Sequence, residues 1–176
     1  MIDDMRRTLT RTVTATMVLA ALAGCSSKPA PSSGSGKSAK DSSASKPLTA
    51  SAVFTQISAK VSTAKLSGTV TAANDPDHLL GRPNQYTSKI TFADSRIKAS
   101  DIEGTSKGDV SRGGEIEVFA DSAAAEARAK YIETVTKSLP ALAEYDYVHG
   151  TVLVRVSMLL TPVQAGQYKA AAANLG

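Results

Sequence analysis

The chain has 176 residues and a formal net charge of +4, but that charge is unevenly distributed. Of its 20 basic and 16 acidic residues, seven and three precede Leu48, so 13 of each follow and the remainder is neutral. A neutral domain argues against nucleic acid as a partner, since binding it requires a clustered basic face. The single cysteine excludes an intrachain disulfide, so packing alone must stabilise the fold.

The first 24 residues have the three parts of a signal peptide. Arginines at 6, 7 and 11 precede an apolar run over Val13–Ala23, which is too short to cross a hydrocarbon core of about 30 Å. The segment Leu22-Ala23-Gly24-Cys25 resembles a bacterial lipobox, in which the cysteine carries diacylglycerol and the preceding peptide bond is cut. We therefore expect residues 1–24 to be a removable lipoprotein signal and Cys25 to be lipidated. The Arg6-Arg7 pair leaves general and twin-arginine export both open.

Residues 25–47 form a predicted tether between the lipid anchor and the domain. Serine, lysine, glycine and proline dominate the segment, and Asp41 is its single acidic residue. Such a composition has no apolar surface to bury, so we expect a flexible chain. The mature protein is then predicted to lie on the extracytoplasmic face of the cell membrane, with residues 48–176 as a single domain.

Hydrophobic periodicity predicts the first elements of that domain. Apolar residues recur at spacings of three and four from Thr49 or Ser51 through Ala64, which predicts a helix. Alternating residues predict strands over Leu66–Ala73 and Tyr86–Ala93.

The loop over residues 74–85 is unusual because it carries an apolar pair, Leu79-Leu80, between two prolines. In one interpretation, both leucines pack against the core and cover part of the sheet as a lid. The other presents them to a partner beside Arg82. We favour the core for Leu79 and Leu80, and we take Arg82 as the possible partner contact.

A polar, glycine-rich stretch over residues 94–113 predicts a mobile loop with a short strand near residues 96–100. The next strand is predicted over Glu115–Phe119. Glu115 and Glu117 share one face of it, and alternation predicts that this face is exposed to solvent.

The last four elements carry clear boundary signals. Asp121 is a predicted N-cap of a helix that runs to about Leu139, where Pro140 ends it. A hairpin is predicted around His149-Gly150, with a second strand that is apolar on both faces and hence central. A capping box at Thr161 opens the final helix.

The resulting order, α-β-β-β-α-β-β-α, predicts an α+β domain of two layers. We expect a mostly antiparallel sheet of about five strands, with three helices on one face.

The sequence offers little catalytic or metal chemistry. Gly104-Thr105-Ser106-Lys107-Gly108 matches the spacing of a nucleophile elbow, with Asp146 and His149 following in hydrolase order. An elbow also needs an apolar strand before the serine and a helix after it, and neither is predicted there. With two histidines and no ligand spacing, we expect no metal site, no cofactor and no enzymatic activity.

Several segments together resemble a family. They are Asp-Pro-x-x-Leu-Leu-Gly-Arg-Pro-x-x-Tyr-Thr-Ser-Lys from Asp75, Glu-Val-Phe from Glu117, Ala-x-Ala-x-Tyr-Ile from Ala127 and Tyr-x-Tyr-Val-x-Gly-x-Val-Leu-Val-Arg-Val from Tyr145. In these residues the chain resembles uncharacterised secreted or lipid-anchored proteins of actinobacteria. The resemblance implies a lineage and no activity.

These observations predict a cell-surface lipoprotein whose domain is a non-catalytic binding or interaction module of the envelope. Its partners would be the membrane, through the anchor, and an envelope protein or ligand that the sequence does not identify. One alternative is a small-molecule or lipid carrier, which needs an apolar cavity between helices and sheet. Another is an envelope hydrolase, which needs converging Ser, Asp and His side chains.

Overall fold

The computed structural model describes residues 47–176, so the predicted signal peptide, Cys25 and residues 26–46 of the predicted tether lie outside the described residues. The helices and strands are α1 Ala50–Ser58, β1 Ala64–Thr69, β2 Ser88–Asp94, β3 Gly113–Val118, α2 Ser122–Ser138, β4 Glu144–His149, β5 Val152–Ser157 and α3 Pro162–Ala172. Short 3-10 turns lie at Ala99–Ile102, Val110–Arg112 and Pro140–Leu142.

The five strands form one sheet in the order β1-β2-β3-β5-β4, and every neighbouring pair is antiparallel. The predicted α+β class, the order of the elements and the antiparallel sheet are confirmed. Strand β5 lies between β3 and β4, as its apolar residues on both faces predicted. Within residues 47–176, none of the helices combines the length and hydrophobicity that crossing a membrane requires.

The local capping and turn signals also predicted the starts of two helices and the position of one hairpin correctly. Asp121 accepts a hydrogen bond from the Ala124 amide at the start of α2, and Thr161 and Gln164 form the capping box of α3. Strands β4 and β5 form the predicted hairpin, in which Gly150 has a φ of 53°. Glycine adopts this left-handed conformation without the steric cost of a Cβ atom.

Several predicted boundaries were wrong because sheet pairing overrides local periodicity. Strand β1 spans Ala64–Thr69 and not Leu66–Ala73, and the ends of β2 and β3 are each displaced by one or two residues. Helix α1 ends at Ser58 and not at Ala64, since Ala64 already pairs with Asp94 in the sheet. The predicted short strand near residues 96–100 is absent from the described structure, where a 3-10 turn begins at Ala99. Arg96 instead folds back, and its Nε donates to Asp94 Oδ1 at 2.9 Å.

Helices α1 and α3 cover the first face of the sheet and form with it a two-layer body around the larger core. In this core the rings of Phe92 and Tyr168 stack with centroids 5.2 Å apart. Phe92 also lies over Gly114, where an added Cβ would be 2.9 Å from Phe92 Cε1 and would collide with the Arg155 carbonyl oxygen. Only glycine fits at this position.

Helix α2 packs on the opposite, second face of the sheet, which corrects the expectation that all three helices share one face. Its residues Ala124, Ala125 and Ile132 form a smaller core with Leu153 and Tyr86. Leu153 alternates with Val152 and Val154, which point into the larger core. Because α2 is one helix on a five-stranded sheet, it covers only part of the second face.

Candidate binding cleft

The second face carries a cluster of charged side chains, which we call the charged floor. Strands β2, β3 and β5 supply its centre, because successive side chains of a strand point to opposite faces and their intervening neighbours fill the larger core. Helix α2, strand β4 and the loop before β2 add one residue each. The charged floor comprises Asp77, Lys89, Glu115, Glu117, Arg128, Glu144 and Arg155.

Lys89 is the centre of the charged floor, and its side chain is only 1% exposed. Its Nζ lies 2.9 Å from Glu115 Oε2, 3.2 Å from Asp77 Oδ2 and 3.5 Å from Glu117 Oε1. An ammonium has three donors, so three carboxylates saturate it. Burial by itself would lower the pKa of Lys89, but Glu115 and Glu117 raise it overall, so the ammonium stays charged.

Arg155 joins strands β4 and β3 across β5. Its Nε and Nη2 donate to the two oxygens of Glu144 at 2.8 and 3.0 Å, which is a bidentate pair. Its Nη1 donates to Glu115 Oε2 at 2.6 Å. Bidentate charged pairs are strong and geometrically specific, so this arginine aligns carboxylates from both neighbouring strands.

Arg128 connects α2 to the sheet and to the loop before β2. Its Nε lies 3.1 Å from Glu117 Oε2 and its Nη2 lies 3.0 Å from Asp77 Oδ2. Its guanidinium also lies about 6 Å from the ring centroids of Tyr86 and Tyr131. These contacts hold one helix and one loop over the second face.

The prediction that Glu115 and Glu117 lie on a solvated face was wrong. Glu115 is 5% exposed and Glu117 is fully buried, because α2 and its arginine cover this part of the sheet. A signal was present in the sequence: Lys89 and Arg155 interrupt strands that are otherwise rich in apolar residues. Their partners could not be inferred, since strand register is set by tertiary pairing.

Carboxylates in this region are incompletely compensated. Burial raises the pKa of Glu115 above its ordinary value, although Arg155 and Lys89 oppose the shift. Burial and the neighbouring Glu144 raise the pKa of Asp146 to about 7. The Oδ1 of Asp146 is buried with no hydrogen-bond partner among residues 47–176. The second face therefore has more acceptors than donors.

An open cleft of about 1370 Å³ lies above the charged floor, between α2 and the loops around residues 74–85 and 101–111. Its rim includes four exposed apolar side chains. Tyr131 is 62% exposed, Leu142 57%, Met158 47% and Leu159 43%. Concave sites with apolar walls and a few fixed polar groups are typical of ligand pockets. The cleft combines an apolar rim with a charged base.

Asp75 organises the loop at one side of the cleft. It is 1% exposed, and its Oδ2 accepts hydrogen bonds from the Leu79 and Leu80 amides at 2.8 Å each. The Tyr86 hydroxyl donates to its Oδ1 at 2.7 Å. Burial by itself would raise the pKa of Asp75, but its hydrogen-bond donors lower it overall. Burial and the hydrogen bond to Asp75 both raise the pKa of Tyr86. Asp75 is therefore an ionised anchor for the loop.

The packing of the leucine pair agrees with the core interpretation. Leu79 and Leu80 are half-buried against the smaller core, and Leu79 also lines the cleft. Arg82 is exposed and does not line the cleft. Its role as a partner contact stays a prediction.

The described residues do not form a nucleophile elbow. Ser106 lies in the loop between two 3-10 turns, with no strand running into it and no α-helix leaving it. Asp146 and His149 lie on opposite faces of β4, since they are three residues apart. Among residues 47–176, no three His, Cys, Asp or Glu side chains are grouped so that they could hold a metal ion.

Comparisons with protein-family models, with curated proteins and with solved structures found no match to this chain.

Proposed function

We propose that the chain is a lipid-anchored protein of the cell envelope whose domain is non-catalytic and binds a ligand in the cleft. The observation that supports this most is the cleft itself, in which a buried, ordered set of charges lies below exposed apolar side chains. Exposed apolar residues that cluster around a concavity commonly mark binding sites. The anchor at Cys25 and the actinobacterial lineage are proposed from sequence resemblance.

A small-molecule or lipid carrier is the second candidate, and the position of the cleft favours it. The cleft lies between α2 and the sheet, where a carrier needs its cavity. Its charged floor changes the expected cargo from a purely apolar molecule to an amphipathic one, because burying an ion against apolar groups is costly.

Narrowing the cleft should weaken binding of a neutral apolar probe. Ala127 is exposed and lines the cleft, so Ala127→Trp should occupy part of it without disturbing the cores. The mature chain carrying Cys25→Ser, which has no acyl group to absorb the probe, would be titrated with the dye N-phenyl-1-naphthylamine. We expect about tenfold weaker binding in Ala127→Trp than in the parent.

The matched control is Ala123→Trp, which adds the same side chain to an exposed position of α2 outside the cleft lining. It should bind the dye like the parent. Equal dye binding by Ala127→Trp and Ala123→Trp would show that the cleft is not a binding site.

The proposed anchor is tested by Cys25→Ser in the full-length precursor. The chain has a single cysteine, so no other side chain can form the thioether. We expect the variant to leave the membrane fraction or to accumulate as unprocessed precursor, measured by fractionation and by the mass of the protein. A correctly processed serine variant that still sediments with membranes would contradict lipid anchoring.

A further inference from the structure

We propose that the cleft selects amphipathic molecules with a cationic head group, which Asp77 and Glu115 receive at the charged floor. This inference rests on the proposed binding function and names the chemical class of its ligand. Its physical basis is that the floor has four carboxylates but only three cations, and that those cations are mostly engaged by the carboxylates.

Most donors of the three cations of the charged floor are engaged by its own carboxylates; Arg128 Nη1 is an exception, with no hydrogen bond to residues 47–176. Lys89 Nζ has three carboxylate neighbours within 3.5 Å. Arg155 is bidentate to Glu144 and also bonded to Glu115. Arg128 Nε and Nη2 are occupied by carboxylates, and its face lies beside two tyrosine rings. An anionic head would add to the net negative charge of the floor and would find few donors outside these pairs.

The acceptors are in excess, because four carboxylates face three cations in the charged floor. Asp77 Oδ1 and Glu115 Oε1 receive no hydrogen bond from residues 47–176, whereas the other oxygen of each is paired with a cation. Both residues line the cleft, and the Asp77 side chain is 37% exposed. One added ammonium would balance the charge of the floor.

The apolar part of the ligand is inferred from the wall of the cleft. Tyr131, Ile132 and Val135 of α2 line it on one side, and Leu142 continues that surface beyond the helix. Tyr131 and Leu142 are more than half exposed. Burial of CH₂ groups against this wall is favourable, so a molecule with only charge, such as a free polyamine, should bind poorly.

A tryptophan reporter can test head-group selection directly. The chain contains no tryptophan, so Tyr131→Trp places a single fluorophore on the rim of the cleft. The mature chain with Cys25→Ser would be titrated below micelle concentration with dodecylammonium, dodecyl sulfate, dodecyl maltoside and spermidine. We expect dodecylammonium to bind about tenfold more tightly than dodecyl sulfate at neutral pH, and spermidine to cause no shift.

Two matched controls separate selective from general binding. Val163→Trp reports on adsorption elsewhere, since Val163 is 79% exposed and does not line the cleft. The test variant is Asp77→Asn, combined with Tyr131→Trp, which should remove most of the preference for dodecylammonium. Asp101→Asn changes an exposed carboxylate of the cleft outside the charged floor and should preserve the preference.

The outcomes distinguish the two proposals. If maltoside and sulfate shift the reporter as strongly as dodecylammonium, the cleft binds amphiphiles but the cationic selection is wrong. If spermidine binds as tightly as dodecylammonium, the apolar requirement is wrong. If no probe shifts Tyr131→Trp, or if Val163→Trp responds equally, both the selection and the proposed binding function are overturned.

Discussion

Replacing Lys89 by methionine should lower the free energy of unfolding by about 3–5 kcal/mol, because it leaves buried carboxylates without their cation. Lys89 is the partner that Glu115, Glu117 and Asp77 share. Methionine replaces all of the lysine side chain except its terminal nitrogen, so the loss reports mainly the charge. A domain of this size has a total stability of about 5–15 kcal/mol, so the midpoint of urea unfolding should fall clearly.

Lys65→Met is the matched control for this substitution. Lys65 lies on the edge strand β1, is exposed and forms no ion pair within residues 47–176. Its replacement should change stability by no more than about 0.5 kcal/mol. Adding Glu115→Gln to Lys89→Met should restore part of the loss, since it removes one uncompensated charge. Equal midpoints for the two lysine variants would show that the ion pairs do not stabilise the fold.

The cost of Lys89→Met should depend on pH in a defined direction. Burial already raises the pKa of Glu115 in the folded protein, and removal of the ammonium should raise it further. The folded state then holds a proton at pH values where the unfolded chain has released it, so stability decreases as pH rises through the folded pKa. The difference between variant and parent should be largest near pH 8 and smallest near pH 4, close to the ordinary glutamate pKa of about 4.3.

Replacing Asp75 by alanine should destabilise the domain by about 3 kcal/mol or more and disorder one side of the cleft. The substitution leaves the Leu79 and Leu80 amides and the buried Tyr86 hydroxyl without their acceptor. A buried donor without a partner costs about 1–3 kcal/mol. Because the same carboxylate positions Leu79 at the cleft, affinity for N-phenyl-1-naphthylamine should fall together with the midpoint of thermal unfolding.

Asp109→Ala provides the comparison, since Asp109 also caps a turn but is exposed and accepts a single amide hydrogen bond, from Ser111. Its loss should cost about 1 kcal/mol. A second comparison, Tyr86→Phe, removes one of the donors and should reduce the cost of Asp75→Ala when the two are combined. If Asp75→Ala unfolds at the same temperature as Asp109→Ala, Asp75 does not organise the loop over residues 74–85.

Much of the architecture could be predicted from short-range patterns. Asp121 and the Thr161–Gln164 capping box marked helix starts because an N-cap depends only on residues within the first turn. Gly150 marked the hairpin for a similar reason, since a tight turn depends on the residues of the turn itself. The end of α1 was missed because Ala64 is drawn into pairing with Asp94, a residue 30 positions further along the chain.

The charged floor was decided by tertiary structure. Alternation predicted that Glu115 and Glu117 share a face, but it could not predict that α2 would cover that face. The sequence by itself determined the α+β class, the order of elements and the neutral charge of the domain, since these depend on composition and local periodicity. The site depends on strand register and on helix placement, which bring Lys89 and Arg155 to the same carboxylates. Such contacts join distant segments, so their energies appear only when the chain is folded.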